Sequence, residues 1–283
     1  MATAREIHRH MKSVGNIGKI TKAMKMVAAA RLRRAQEKAA ASRPYAIKIK
    51  EVLSNVVSDP SILAGLSAKK HPLLQHRDVK KVGYLVLASD KGLAGAYSSN
   101  ALKKAVAEIS ECEHDVVIIT SGRKASVSHF GYSDRPSYAN AVEIAQDAIK
   151  QFADEHFDEL HVVFTLFKTA LSQIPTSDKI LPVEPPVKEK GKASASFIFE
   201  PSEDETLQVL APKYLETVVY AALVQSAASE LGSRMTAMSS ATDNAGKLVQ
   251  NLELSYNKAR QASITRELNE IVGGVEALKQ AQN

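Results

Sequence analysis

The stretch Leu231–Leu278, LGSRMTAMSSATDNAGKLVQNLELSYNKARQASITRELNEIVGGVEAL, decides the fold. Leu231, Met235, Met238, Thr242, Ala245, Val249, Leu252, Tyr256, Ala259 and Ser263 advance in alternating steps of four and three, the seam of a left-handed coiled coil. The phase then slips by one residue, and Ile264, Leu268, Ile271, Val275 and Leu278 resume the alternation. A straight α-helix drifts against a seven-residue repeat, so such a slip points to weak supercoiling. The seam is thin: Ala, Thr and Ser stand where a strong zipper has Leu, and small residues bring backbones close while burying little area. No proline occurs between Lys213 and Asn283, which predicts one helix of roughly 100 Å. A compact globule of this chain length is only on the order of 50 Å across, so the sequence predicts a rod with something attached.

The partner of this helix lies at the other end of the chain. Ile7, Met11, Val14, Gly18, Thr21, Met24, Ala28, Leu32 and Ala35 again step by three or four, with no proline before Pro44. The helix kinks there and continues to about Val57 in this reading. Two long helices at opposite ends of a chain pair antiparallel, like a hairpin carrying a large insertion. With pairing level at the insertion, the C-terminal helix overhangs by about 13 residues, or roughly 20 Å. Its tip, Leu268 to Leu278, is then bare, and a bare apolar helix in water needs a socket on another protein.

Charge is distributed unevenly. The net +6 of the 283 residues conceals 13 Lys/Arg against 2 acids in residues 1–50, 18 against 22 in 51–213, and 6 against 7 in 214–283. All the positive excess sits on the first helix. A basic, acid-poor amphipathic N-terminus can be read as a transit peptide, but its seam runs uninterrupted past Ala28–Ala30. Arg31, Arg33, Arg34 and Lys38 among alanines also resemble the basic region of a DNA-binding zipper. That arrangement needs a parallel dimer, whereas the partner here is intramolecular and antiparallel. A solvated basic face, or an electropositive collar that slides over acidic protein surfaces, are the other readings. The single Cys112 excludes a disulfide framework or a thiol switch within the chain, and no run of 18 or more apolar residues occurs.

Between the helices the period changes. Lys81–Ser89 (KVGYLVLAS), Asp115–Thr120 (DVVIIT) and Leu160–Phe167 (LHVVFTLF) are short, nearly continuous apolar runs, the mark of strands buried on both faces. Helical stretches alternate with them near Tyr97–Ser110, Gly122–Phe130 and Val142–His156, which argues a Rossmann-like parallel α/β domain of right-handed crossovers. Runs at Gln173–Leu181 and Ala195–Phe199 are candidate edge strands, and Pro182–Ser194 (PVEPPVKEKGKAS) reads as an exposed loop. The expected organisation is an N-terminal coiled-coil helix over 1–57, an inserted α/β domain over 75–205, and a C-terminal coiled-coil helix over 208–283.

The α/β domain invites an enzymatic reading, which the residues do not sustain. Asp90-Lys91-Gly92-Leu93-Ala94-Gly95 follows the first strand, where phosphate loops sit, but lacks both the third glycine of the dinucleotide fingerprint and the spacing of the triphosphate loop. A tight strand-to-helix turn fits it better. Gly15-Asn16-Ile17-Gly18-Lys19-Ile20-Thr21 lies inside a helix. No histidine makes a metal pair with a nearby third ligand, no serine sits in a nucleophile elbow, and Cys112 has only His114 beside it. No catalytic, metal or cofactor residue is expected. A basic coiled-coil nucleic-acid binder and a small-molecule enzyme in the α/β domain stand as the alternatives to an interaction device.

Ile17-Gly18-Lys19-Ile20-Thr21-Lys22-Ala23-Met24-Lys25-Met26-Val27-Ala28-Ala29 closely resembles the N-terminal signature of the gamma subunit of the F-type ATP synthase. Ser89–Tyr97 (SDKGLAGAY), Ser233–Thr242 (SRMTAMSSAT) and Tyr256–Glu267 (YNKARQASITRE) agree with it in order and spacing. The resemblance implies a rotor shaft, not itself an enzyme: an antiparallel coiled coil inside a ring of three alpha and three beta subunits. The α/β domain would sit below, beside epsilon and on the ring of membrane c subunits. Proton-driven rotation would move each beta subunit through its conformations.

It also implies roles for residues. Arg260, Gln261, Thr265 and Glu267 would hydrogen-bond a loop of one beta subunit, and Met24 and Arg234 would tune coupling near the acidic lever segments. The collar Lys22, Lys25, Arg31, Arg33 and Arg34 would face those segments through a screened, long-ranged attraction. Leu268, Ile271, Val275 and Leu278 would form the bearing tip, and Phe197, Ile198, Phe199 and Glu200 the contact with the c-ring. Chloroplast members carry an insert with two regulatory cysteines, which this chain lacks. Met1 lies only a few residues from the family's start, so the setting implied is the cytoplasmic face of a bacterial inner membrane, reached only through the complex and without nucleic acid.

Overall fold

The computed structural model describes residues 3–57, 71–122, 131–133, 135–183 and 202–281. In order these form α1 (Ala4–Val57), a 3-10 turn (Pro72–Leu74), β1 (Lys81–Leu87), α2 (Tyr97–Glu111), β2 (Asp115–Ser121), α3 (Tyr138–Ala153), β3 (Glu159–Phe167), β4 (Gln173–Leu181) and α4 (Glu203–Ala281). The chain divides into two compact units, Met1–Val27 with Ala237–Asn283, and Ala28–Thr236. Both long helices contribute to each.

The first unit is a helix pair. Lys25 Nζ donates to Ser239 Oγ at 2.9 Å, and the Thr21 and Thr242 hydroxyls meet at 2.8 Å. A Cβ on Gly18 would lie 3.4 Å from that of Ala245, and His8 and Tyr256 bring their rings to 5.6 Å. Numbers rise on α1 as they fall on α4, so the helices are antiparallel. Val14, Thr21, Met238 and Ala245 are the buried seam. Gly18 and Ala245 allow the close approach that a thin seam requires, because no larger side chain holds the backbones apart.

The second unit is a sheet covered on both faces. Its strand order is β2-β1-β3-β4, with β1 parallel to β2 and β3, and β4 antiparallel to β3. The sheet is therefore mixed, the parallel core read from the sequence carrying an antiparallel edge: the five residues Lys168–Ser172 between β3 and β4 are too few for a crossover. Val82, Tyr84 and Val86 point to one face and pack with Ala105 of α2. Leu85 and Leu87 point to the other, where α3 (Ile144, Ala148, Phe152), Leu53 of α1 and α4 (Leu207, Leu215, Val219) close the main core. Both parities of β1 are buried, which is why it reads as a continuous apolar run. Ser137 starts α3 with a capping box shared with Asn140.

Two prolines lie inside helices. α1 runs through Pro44 to Val57, and α4 starts at Glu203, five residues before the expected 208, and runs through Pro212. Ser202 supplies the start, accepting the Glu205 N–H on its Oγ at 3.3 Å. Pro212 removes one backbone hydrogen bond, offset by the burial of Leu207, Ala211 and Leu215 around it. α4 also contains an 18-residue window of mean hydropathy 1.2, half of it buried within the protein. Composition alone would let that window cross a membrane, although no uninterrupted apolar run does; core helices share the composition. The sequence readings of a helix over 123–130, a strand at Ala195–Phe199 and a loop over 184–194 lie outside the described residues.

Candidate functional site

The surfaces of the two long helices, not a pocket, carry the candidate site. Among the described residues no group of His, Cys, Asp or Glu could hold a metal ion. The Asp90–Gly95 turn is closed by the chain's own groups. The Asp90 carboxylate accepts the Gly131 and Ser133 N–H groups at 3.0 Å each, and the Gly92 and Ala94 carbonyls accept Arg234 and Ser233. An acid and inward-facing carbonyls make a poor phosphate cradle. Leu93 and Gly95 adopt φ of +64° and +56°, so the glycine-rich spelling serves a tight turn.

In the helix-pair unit, α4 outruns α1. Every described residue from Arg260 to Val275 is exposed. Arg260, Gln261, Thr265 and Glu267 are therefore in water, with Ser263 Oγ donating to Glu267 at 3.3 Å. Leu268, Ile271 and Val275 are 56, 63 and 49% exposed; the Leu278 side chain lies outside the described residues. Met24 is half-buried on the seam, and Lys22 and Lys25 stand outside it. A second stripe lies outside the seam: Ile17, Ile20 and Val27, spaced by three and seven, are 51, 59 and 52% exposed on the outer face of α1. The signal was present in their spacing, but the stronger seam absorbed the reading.

In the α/β unit, Arg31, Arg34 and Lys38 of α1 line a cleft of about 210 Å³ with Arg135, whereas Arg33 turns to Glu37 at 3.1 Å on an exposed face. Arg234 is only 8% exposed: it pairs with the fully buried Glu230 and donates to the Gly92 carbonyl at 3.4 Å. Helical phase decides this, since positions 230 and 234 fall on the face of α4 that packs beneath the Asp90–Gly95 turn. Tyr97, buried beside the pair, has its phenol pushed up by burial and by the Glu230 charge. Phe197, Ile198, Phe199 and Glu200 lie outside the described residues.

An exposed helix end, a thin antiparallel seam and a mixed sheet together describe a known kind of protein. The family model described as ATP synthase matches residues 3–278. The ATP synthase gamma chain of Brevibacillus brevis is 47% identical over 96% of this chain and 98% of its own length; that of Desulfitobacterium hafniense is 44% identical over 99% and 100%. The chain belongs to the ATP synthase gamma chain family. Solved structures share the fold. A chain of the Euglena gracilis mitochondrial ATP synthase, in its OSCP/F1/c-ring structure, superposes with a TM-score of 0.67 at 18% identity, covering 99% of this chain and 96% of that one. A chain from the central stalk/c-ring structure of the Tetrahymena thermophila enzyme gives 0.58 at 23%, over 78% and 99%.

Proposed function

We propose that the chain is the rotor shaft of an F-type ATP synthase, a non-catalytic subunit that couples proton-driven rotation of a c-ring to the conformational cycle of three beta subunits. The observation that carries this is the match to gamma chains along the whole length, together with a bare helix end that needs a sleeve. Rotation shifts populations because an asymmetric shaft contacts different beta conformations unequally at different angles. A thin seam suits that task, since deep interdigitation on the outer faces would trap particular angles.

Within this function Arg260, Gln261, Thr265 and Glu267 hydrogen-bond a beta loop, and Leu268, Ile271, Val275 and Leu278 turn inside an apolar sleeve. Lys22, Lys25, Arg31, Arg33 and Arg34 face acidic beta segments, with Met24 tuning the contact, and Phe197–Glu200 touches the c-ring. Arg234 acts on coupling only through Glu230 and the Gly92 turn. Alpha, beta, epsilon and c subunits are the partners, and the location is peripheral, on the cytoplasmic face of a bacterial inner membrane. The wholly bacterial origin of the most similar curated relatives supports that setting. No match favours the nucleic-acid or small-molecule readings.

Co-expression with alpha and beta subunits tests the proposal. The expected product is a particle of three alpha, three beta and one of this chain, with ATP turnover that rotates a probe fixed to the α/β unit. Alpha and beta assembling and turning over identically without the chain would refute it.

A further inference from the structure

On α4, Ser226, Ser229, Ser233 and Thr236 form a polar stripe stepping by three, four and three, with Gln225 beside it. Ser and Thr are weak formers inside helices, and hydroxyls on a packed face destabilise it unless each is paired. Here each one meets backbone of the α/β unit. The Thr165 N–H donates to Ser226 Oγ at 3.4 Å, and Ser229 Oγ donates to the Thr165 carbonyl at 2.8 Å. The Phe167 N–H donates to Gln225 Oε1 at 3.3 Å. Ser233 Oγ donates to the Ala94 carbonyl at 2.7 Å, and Thr236 Oγ1 to the Ala170 carbonyl at 3.0 Å.

Strand register explains why these bonds exist. Pairing of β3 with β1 ends at Val163, while its pairing with β4 continues to Phe167. Past Val163 the inner edge of β3 has lost its strand, and α4 completes it with side chains. Ser226 and Ser229 are 5 and 0% exposed, so water does not compete for these bonds. Gly232 allows the approach: a Cβ there would lie 3.0 Å from the Phe167 ring. Apolar contact is non-directional and permits slip. Hydrogen bonds to a strand edge and to two turns fix a helix in both rotation and rise.

We infer that this hydroxyl ladder is the torque coupling of the molecule, locking α4 to the α/β unit so that rotation of that unit is delivered into the helix without slip. The inference rests on the rotor-shaft reading and adds the residues that transmit the twist.

The test uses the particle assembled with alpha and beta subunits, immobilised through its beta subunits, with a bead on the α/β unit. The quadruple variant Ser226→Ala, Ser229→Ala, Ser233→Ala and Thr236→Val removes the ladder with little change of volume. Ser255→Ala, an exposed hydroxyl bonded only to its own helix at Asn251, is the control. Angular variance of the bead in the paused state is expected to rise about twofold or more once directional bonds are lost and apolar contact remains. Unloaded ATP turnover should hold, and turnover coupled to rotation under load should fall. A purely structural ladder would lower the melting temperature and leave the variance at the wild-type value, which overturns the inference. Should the quadruple variant not assemble, Ser233→Ala alone is expected to raise the variance, and an unchanged value overturns the inference equally. A wild-type particle that fails to rotate would instead reject the rotor-shaft reading.

Discussion

Replacing Arg234 by Met isolates the buried charge pair from any partner contact. Glu230 is 0% exposed and Arg234 8%, so the pair is shielded from water. Removing the guanidinium takes its ion-pair partner from a carboxylate in the core, a change that costs about 3–5 kcal/mol. At about 2–4 °C per kcal/mol for a unit of this size, the melting temperature should fall by about 6–20 °C at pH 8. The isolated chain suffices, with unfolding followed by near-UV circular dichroism of its tyrosines, since the sequence has no tryptophan and Tyr97 sits against the pair.

The deficit must depend on pH with a defined sign. A buried carboxylate that has lost its cation has its pKa raised by desolvation. A group raised in the folded state contributes stability below its unfolded pKa, about 4.3 for Glu, and loses it as pH rises through the folded value. Arg234→Met should therefore lie nearest to wild type around pH 5 and be fully destabilised at pH 8. Adding Glu230→Leu should recover most of the loss, because replacing both partners of a buried pair by apolar groups is often neutral. A single variant melting within about 2 °C of wild type at both pH values would refute the buried-pair account. Arg234 would then be available to a partner, as the family resemblance implies.

Three further outcomes follow from other parts of the molecule. Gly122→Ala should destabilise the α/β unit by about 3 kcal/mol or more, because φ is +104° there and a Cβ would fall 2.2 Å from the Ala88 carbonyl oxygen; a denaturant midpoint equal to wild type would contradict this. Thr21→Val should cost about 1 kcal/mol and the pair Thr21→Val with Thr242→Val less than their sum, since the hydroxyls meet at 2.8 Å in the seam; strict additivity in a double-mutant cycle would deny the bond. Burial pushes Tyr84 up to about 12 and also raises Tyr97 and Tyr138, the last with help from Glu216. Stability from these phenols is complete below about pH 10 and lost as pH climbs toward 12. Absorbance at 295 nm should show them ionising only as the chain unfolds, and ionisation of all tyrosines near pH 10 with native circular dichroism retained would refute it.

Sequence periodicity reached as far as each element's own contacts do. The seam from Ile7 to Leu32 and from Leu231 to Ala259 was readable because helix pairing repeats one short-range pattern, and every one of those positions is buried or half-buried. β1 was readable because both of its faces are covered. Arg234 was not, since Glu230 four residues earlier reads as an ordinary solvent-exposed helix pair. Only the distant Asp90–Gly95 turn, folded over that face, buries it. The Ser226–Thr236 stripe is visible as a spacing, yet hydroxyls on a helix read as a wet face until a strand edge lacking its partner is known.

These features place three regimes in sequence along α4. From Gln225 to Thr236 the helix is bonded by side chains to backbone, and those bonds fix angle as well as distance. From Ala237 to Ala259 it meets α1 through Met238, Ala245 and other small or half-buried residues, joined by side-chain bonds from Ser239 to Lys25 and from Thr242 to Thr21 and by none to a strand edge. From Arg260 to Val275 every residue is exposed. A shaft that must take up torque at one end and turn freely at the other requires this order and no other. Reversing it, with a deep zipper at the tip and a smooth seam against the sheet, would let the driven end slip and the free end jam. The test lies in exchange of the backbone amides: the Thr165 and Phe167 N–H groups, held by Ser226 and Gln225, should be among the slowest in the chain, and the amides of 260–275 should exchange fastest of all α4. Equal protection along the helix would remove the gradient, and with it the mechanical reason for the polar stripe.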